Sequence, residues 1–219
     1  MKQSVCALVS GGLDSCVLLG ELSRQYRRVY PLFVRQGLVW EETELRHLRR
    51  FLEAARTIKP EPLTVLSLPM RHVYGHHWSV TGRHVPGAAT PDKAVYLPGR
   101  NLLLLSAAAV FGAGRRIRTV ALGSLGHNPF PDATPNFFLN FSRSASQALN
   151  VKFRVIAPFR RLTKQQVILR GVRLGVPLHL SFSCLQPYQG VHCGRCNKCA
   201  ERRRAFRDAK VEDRTKYRQ

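Results

Sequence analysis

Short apolar runs alternate with amphipathic stretches along this chain. Residues 5–9, 29–34, 63–68, 119–122 and 154–157 are rich in β-branched and other apolar side chains, and each is short enough to read as a strand. Between them, residues 15–26, 41–56, 101–113, 134–149 and 164–174 place apolar side chains at helical spacing. Strand then helix, repeated, predicts an α/β fold: a parallel sheet with helices on both faces and ligands at the carboxyl ends of its strands.

Two segments break this rhythm. Residues 69–99 carry His72, His76, His77, His84, Pro86, Gly87, Pro91 and Pro98. An excursion of that length predicts a functional loop or lid. Its four histidines read as loop polarity rather than metal ligands. The second break begins near Phe182, after which come four of the six cysteines and a basic tail. The chain therefore divides into a sheet domain, residues 1–181, and a C-terminal segment, residues 182–219.

Composition sharpens this picture. A length of 219 residues suits one domain with an appendage, and 44% hydrophobic residues can bury a core, which argues against disorder. Lys and Arg number 35 against 13 Asp and Glu, a net charge of +22, and 27 of the 35 are arginine. That excess predicts an anionic partner such as nucleotide, nucleic acid or an acidic protein surface. Arginine suits bidentate phosphate contact, although a run such as Arg202-Arg203-Arg204 also reads as a solvated helix face. One early basic residue, Lys2, and an apolar stretch broken at Ser10 predict no secretory signal. The greasiest run, residues 102–111, is too short to span a bilayer. A cytoplasmic location is expected, where clustered cysteines bind metal more often than they pair.

The first strand runs directly into Ser10-Gly11-Gly12-Leu13-Asp14-Ser15, and a helical pattern follows at once. Adjacent glycines let the main chain turn tightly and present N–H groups to an anion, aided by the positive end of the helix. Ser10 and Ser15 add hydroxyl donors. No lysine follows the glycines, which excludes the Gly-x4-Gly-Lys-Ser/Thr phosphate loop, and the Gly-x-Gly-x-x-Gly pattern is absent too. The plain alternative is a capped strand-to-helix turn.

Cys184, Cys193, Cys196 and Cys199 are spaced Cys-x8-Cys-x2-Cys-x2-Cys. Short Cys-x2-Cys loops let thiolates converge on one tetrahedral ion, and four thiolates with no open position describe a structural zinc site. Arg195, Lys198 and Arg202 favour the thiolate form. An iron–sulfur cluster is the rival occupant of the same ligands. Cys6 and Cys16, remote from this cluster, read as small packing residues.

The Ser-Gly-Gly-x-Asp-Ser turn resembles the pyrophosphate loop of the N-type ATP pyrophosphatase superfamily, whose members activate an oxygen as an adenylate and release pyrophosphate. Together with the cysteines, Gly99-Arg100-Asn101 before an apolar helix, Leu162-Thr163-Lys164 and Phe130-Pro131-Asp132, it resembles the 7-cyano-7-deazaguanine synthase family nearly end to end. That resemblance implies an ATP-binding set of Leu8, Val9, Ser10, Gly11, Gly12, Leu13, Asp14, Ser15, Gly99 and Arg100. It implies catalytic roles for Asp14 (holding Mg2+), Lys164 and Arg100, and substrate contacts from Phe130, Asp132 and Asn101. ATP, Mg2+ and Zn2+ are the implied cofactors, and a homodimer the implied assembly.

Each segment also has a plain local reading. Asn101 could be a helix N-cap, Thr163 the cap of the helix carrying Lys164, and Asp132 the cap of the helix that follows it.

The implied chemistry is ATP-dependent conversion of 7-carboxy-7-deazaguanine and ammonia to the nitrile in queuosine biosynthesis. The chain departs from the family at Val34-Arg35-Gln36-Gly37-Leu38, where Tyr-Gly-Gln-Arg-His is usual, and at Ala133-Thr134, where Cys-Arg is usual. Two further readings follow from these departures and from the charge. The activated carboxylate could pass to a protein or nucleic-acid amine, or the chain could be a zinc-knuckle RNA-binding module.

Overall fold

In the computed structural model, which describes residues 2–55 and 57–218, β1 (Lys2–Leu8) lies at the centre of a five-stranded sheet. β2 (Tyr26–Arg35) and β3 (Thr64–Ser67) extend it on one side, β4 (Thr119–Ala121) and β5 (Arg154–Ile156) on the other. The order is β3-β2-β1-β4-β5 and every pair is parallel. Strand order reverses beside β1, so a crevice opens where the carboxyl ends of β1 and β4 diverge.

The helices are α1 (Leu13–Gln25), α2 (Glu41–Ala54), α3 (Arg71–Tyr74), α4 (Trp78–Thr81), α5 (Arg100–Ala113), α6 (Pro135–Ala148), α7 (Lys164–Arg173) and α8 (Asn197–Asp208). All five expected strands and all five expected helices are present. β2 begins earlier than expected because α1 gives way to it at Tyr26 without an intervening turn. The expected end of α2, Arg56, lies outside the described residues.

Side-chain alternation along β1 explains the two-layered core. Val5, Ala7 and Val9 point into a cluster with α1, α2 and α7, while Cys6 and Leu8 point to the opposite face, against α5 and α6. Cys16 belongs to the first cluster and Cys6 to the second, both fully buried, in keeping with packing roles. Caps set where the helices begin. Thr134 accepts from the Phe137 amide ahead of α6, and Thr163 with Gln166 forms a reciprocal capping box on α7.

Two expected caps are corrected. Gly99, not Asn101, is the N-cap of α5, and Asp132 does not cap the helix after it. Instead Asp132 Oδ2 accepts from the Asn101 amide (2.9 Å), and Asn101 Nδ2 donates to the Asp132 carbonyl (3.1 Å). The carboxylate satisfies one of the free amides at the start of α5, where the helix dipole favours an anion.

The excursion at 69–99 is ordered by a third core. It holds α3, α4 and a 3₁₀ turn at Asp92–Val95, and packs Val95 and Leu97 with Leu38, Trp40, Phe182 and all four clustered cysteines. The Asn197 amide donates to the Pro86 carbonyl (2.9 Å) and its side chain to the Thr90 carbonyl (2.8 Å). This core thus draws on both sides of the 181/182 junction.

Arg202 corrects the reading of its arginine run as a solvated face. It is 1% exposed, whereas Arg203 and Arg204 are exposed. Its guanidinium donates to Ser181 Oγ (2.9 Å), the Leu178 carbonyl (2.9 Å) and Thr215 Oγ1 (2.8 Å), with Asp213 at 3.6 Å. One buried cation therefore ties α8, the chain after it and the turn at Leu178–Leu180 together. Arg202→Leu removes these three hydrogen bonds and the cation beside Asp213, with an expected loss of about 3 kcal/mol, read by denaturant unfolding. An unfolding midpoint equal to wild type would contradict that role.

Candidate active site

The loop after β1 is built by its own hydroxyls. The Ser10 amide donates to Ser15 Oγ (3.2 Å), Ser15 Oγ to the Gly12 carbonyl (3.0 Å), and the Gly12 amide to Ser10 Oγ (3.2 Å). Gly11 adopts φ +76°, and a Cβ there would stand 2.9 Å from the Glu44 carbonyl and 3.1 Å from Leu48 Cβ. Glycine is required twice over, by backbone conformation and by the closeness of α2. The Phe182 amide donates to the Gly11 carbonyl (2.8 Å), which brings the C-terminal segment onto the loop.

Two cavities meet at this loop. The larger, about 400 Å³, is lined by Gly12, Leu13, Trp40, Phe130, Lys164, Cys184 and Glu201 among others. The smaller, about 220 Å³, is lined by Leu8, Val9, Phe33, Leu104, Asn101 and Ser124 among others. Ser10, Asp14, Ser15, Glu44, Arg100, Gly123 and Asn128 line both. Gly123 has to be small here, since a Cβ would meet Asp14 Cβ at 3.2 Å.

The expected site residues divide accordingly. Leu8 and Val9 face the smaller cavity, Gly12 and Leu13 the larger, and Ser10, Asp14, Ser15 and Arg100 both. Gly11 and Gly99 shape the backbone behind them, without lining either. Phe130 faces the larger cavity and packs on Tyr96, ring centroids 5.1 Å apart. Asp132 lines neither, being held by Asn101 in the wall.

Asp14 and Lys164 are brought together, 150 residues apart in the chain and 2.6 Å apart in space. Glu201 adds a second carboxylate 3.5 Å from Lys164 Nζ, and Lys198 closes the row at 2.6 Å from Glu201. Burial pulls the Lys164 ammonium down, but Asp14 and Glu201 outweigh it and hold it above its ordinary value. Burial likewise pushes Glu201 up, and Lys164 with Lys198 brings it down to about 2. Asp14 Oδ1 is buried without a hydrogen-bond partner. A hard oxygen donor left free beside this glycine turn is of the kind a magnesium ion takes.

The four clustered cysteines are buried, and their sulfurs lie within 4.8 Å of one another. Cys193 and Cys199 Sγ are 3.9 Å apart, and Cys184 and Cys196 Sγ 4.0 Å. The Cys193 amide donates to Cys184 Sγ (3.3 Å) and the Leu185 amide to Cys196 Sγ (3.5 Å), contacts that stabilise thiolates. This is a metal-binding cluster. Among the described residues no histidine belongs to a group of this kind.

The family profile described as queuosine biosynthesis protein QueC matches residues 4–210. The chain belongs to that family. It is 31% identical over 98% of both chains to 7-cyano-7-deazaguanine synthase 1 of Sphingopyxis alaskensis. It is also 31% identical to 7-cyano-7-deazaguanine synthase 1 of Desulfitobacterium hafniense, over 94% of this chain and 92% of that one. Among solved structures it is similar to a 4-thiouridine synthetase–RNA complex with bound ATP (TM-score 0.53, 14% identity, 94% of this chain and 50% of that one). It is similar as well to the U34-tRNA thiolase NcsA of Methanococcus maripaludis with its [4Fe-4S] cluster (TM-score 0.51, 13% identity, 94% and 67%). These two likenesses concern the fold alone.

Sequence reasoning passed over Glu44, Trp40, Lys198 and Glu201 as cavity residues. Glu41 and Glu44 share the stripe of Leu45, Leu48 and Phe51 on α2, and all five are buried. Acids on an apolar stripe were the available signal. Burial raises the Glu44 carboxyl from 4.5 to about 8, with Arg100 lowering and Glu41 raising it. The folded state thus binds this proton more tightly than the unfolded chain, and stability falls as pH rises through that window. The melting-temperature difference between Glu44→Gln and wild type is expected near zero at the low end of the window and in favour of the variant at its upper end. A pH-independent difference would contradict the assignment.

Proposed function

We propose that the chain makes 7-cyano-7-deazaguanine from 7-carboxy-7-deazaguanine, ammonia and ATP, as the names of its relatives suggest. The observation that carries this reading is the junction of two cavities at one loop. The smaller suits a nucleotide, with its apolar lining from Leu8, Phe33 and Leu104, and the larger suits a flat bicyclic acid beside Phe130 and Trp40.

A carboxylate oxygen is a poor leaving group, and ATP turns it into a good one. The amides of the Ser10–Ser15 turn and the start of α1 receive the phosphates, and Arg100, which lines both cavities, faces the charge that develops between them. Asp14 would hold magnesium through its free Oδ1. When bound, that ion neutralises phosphate charge and orients the pyrophosphate as it leaves. Lys164, anchored by Asp14 and Glu201, is a permanent cation at the same point. These groups position and neutralise, and no covalent nucleophile is needed. Nitrogen attack on the activated acid gives an amide, and a second activation of the amide oxygen allows dehydration to the nitrile.

Zinc is the proposed occupant of the cysteine cluster. Four thiolates around one zinc at about 2.3 Å stand about 3.8 Å apart, close to the observed sulfur spacings, whereas a four-iron cluster seats each thiolate on a separate iron and spreads them farther. The ion would pin residues 182–219 to the sheet domain of residues 1–181. The net charge of +22 favours a second reading of the nitrogen acceptor, an amine on a nucleic acid or acidic protein. Membership of a family of named synthases favours an enzyme over a non-catalytic RNA-binding module.

Incubation with the acid, ATP, magnesium and ammonium is expected to yield the nitrile by mass spectrometry. Asp14→Ala should abolish it while leaving the melting temperature near wild type. ATP consumption without nitrile would move the proposal to the alternative acceptor, and no consumption would overturn it. Metal analysis should find one zinc per chain, and Cys196→Ser should lose it and release the C-terminal segment to limited proteolysis. Full zinc content and wild-type protease resistance in that variant would contradict the structural role.

A further inference from the structure

Glu44 is a buried carboxylate whose place in the fold is unexplained by packing. It lines the wall shared by both cavities, and among the described residues it makes no side-chain hydrogen bond or ion pair. The charged groups that face it are Arg100 from α5 and Glu41 from its own helix. Both are already engaged. Arg100 Nε donates to Gln36 Oε1 (3.0 Å), while Glu41 receives Arg35 and the amides of Gln36 and Gly37. Holding a carboxylate there without a partner costs more stability than a neutral glutamine of the same shape would. Such a local violation is expected where function requires it.

The other carboxylates of the site are occupied or peripheral. Asp14 is held by Lys164, Glu201 by two lysines, and Asp92 is exposed, as is His127. We propose that Glu44 is the catalytic base that removes protons from the substrate nitrogen where the two cavities meet. This inference rests on the synthase reading above.

The proton count shows why a base is needed. Ammonia enters with three N–H bonds and the nitrile leaves with none. In the first half, the nitrogen lone pair forms the C–N bond, a proton passes from the cationic nitrogen to Glu44, and the C–O bond to AMP breaks with its electron pair leaving on AMP. In the second half, the amide oxygen attacks ATP and pyrophosphate leaves. The nitrogen then gives up its two remaining protons in turn as the C–O bond to AMP breaks and C≡N forms. Glu44 returns each proton to water between steps. A carboxyl tuned by burial to titrate near neutral pH suits repeated transfers of this kind.

The test compares wild type with Glu44→Gln and Glu44→Asp in the same mixture of acid, ATP, magnesium and ammonium, reading pyrophosphate, amide and nitrile separately. Expected for Glu44→Gln is first-turnover pyrophosphate release within about threefold of wild type and amide and nitrile formation slowed about 100-fold. Glu44→Asp, which keeps the carboxylate, should recover part of the lost nitrogen chemistry. Nitrile formation by Glu44→Gln at close to the wild-type rate would overturn the inference alone. Pyrophosphate release falling in step with the nitrile would also overturn it, placing Glu44 in nucleotide binding or folding. Wild type that forms neither amide nor nitrile would sink the synthase reading, and this inference with it.

Discussion

The hydrogen bond from the Phe182 amide to the Gly11 carbonyl joins the two ends of the chain, and the rest of the site depends on it. Gly11 can offer that carbonyl because its positive φ turns the loop, and because the missing side chain lets α2 pack against it. Around the junction His47 and His192 flank the Phe182 ring, with centroids 4.7 and 4.6 Å away, and His192 Nε2 accepts from the Ser183 amide. Downstream, the four cysteines and the buried Arg202 hold the segment in place. The larger cavity consequently has the glycine turn on one side and Ser183, Cys184 and Leu185 on the other.

The sheet explains why everything converges there. Strand order reverses at β1, so the loops after β1 and β4 lie next to each other with a gap between them. Charge in this gap is largely compensated: Asp14, Lys164, Glu201 and Lys198 alternate in sign, although the chain as a whole carries a large positive excess. Such a site can admit a polyanion by exchanging internal ion pairs for phosphate contacts, while the surface charge draws anions towards it. Glu44 stands outside the row, a carboxylate without a partner in the wall between the two cavities.

Much of this was legible in the sequence, for identifiable reasons. Strand and helix periods are local, and so are the glycine turn and the short cysteine knuckles, whose chemistry follows from spacing. The long-range pairs were not legible. Nothing near Asp14 announces Lys164, and Asn101 and Asp132 read as separate caps until the fold brings them together across the start of α5. The burial of Arg202 and of Glu44 was hidden for a shared reason. Each is a charged residue in a charged stretch, yet each falls on its helix's apolar stripe, Arg202 with Cys199 and Phe206, Glu44 with Leu45 and Leu48. Period outweighs residue type at such positions when the fold supplies partners or a functional use.

If a metal on the four cysteines holds the C-terminal segment in place, and that segment in turn completes and rigidifies the Ser10–Ser15 turn, the two should loosen together when the metal is removed. Hydrogen exchange of the full chain, measured with the metal in place and after its removal by a chelator, tests this most directly. Faster exchange is expected for residues 10–15 together with residues 182–202 once the metal is gone, while β1 and β4 keep their protection. Unchanged protection of residues 10–15 after complete metal removal would contradict the claim.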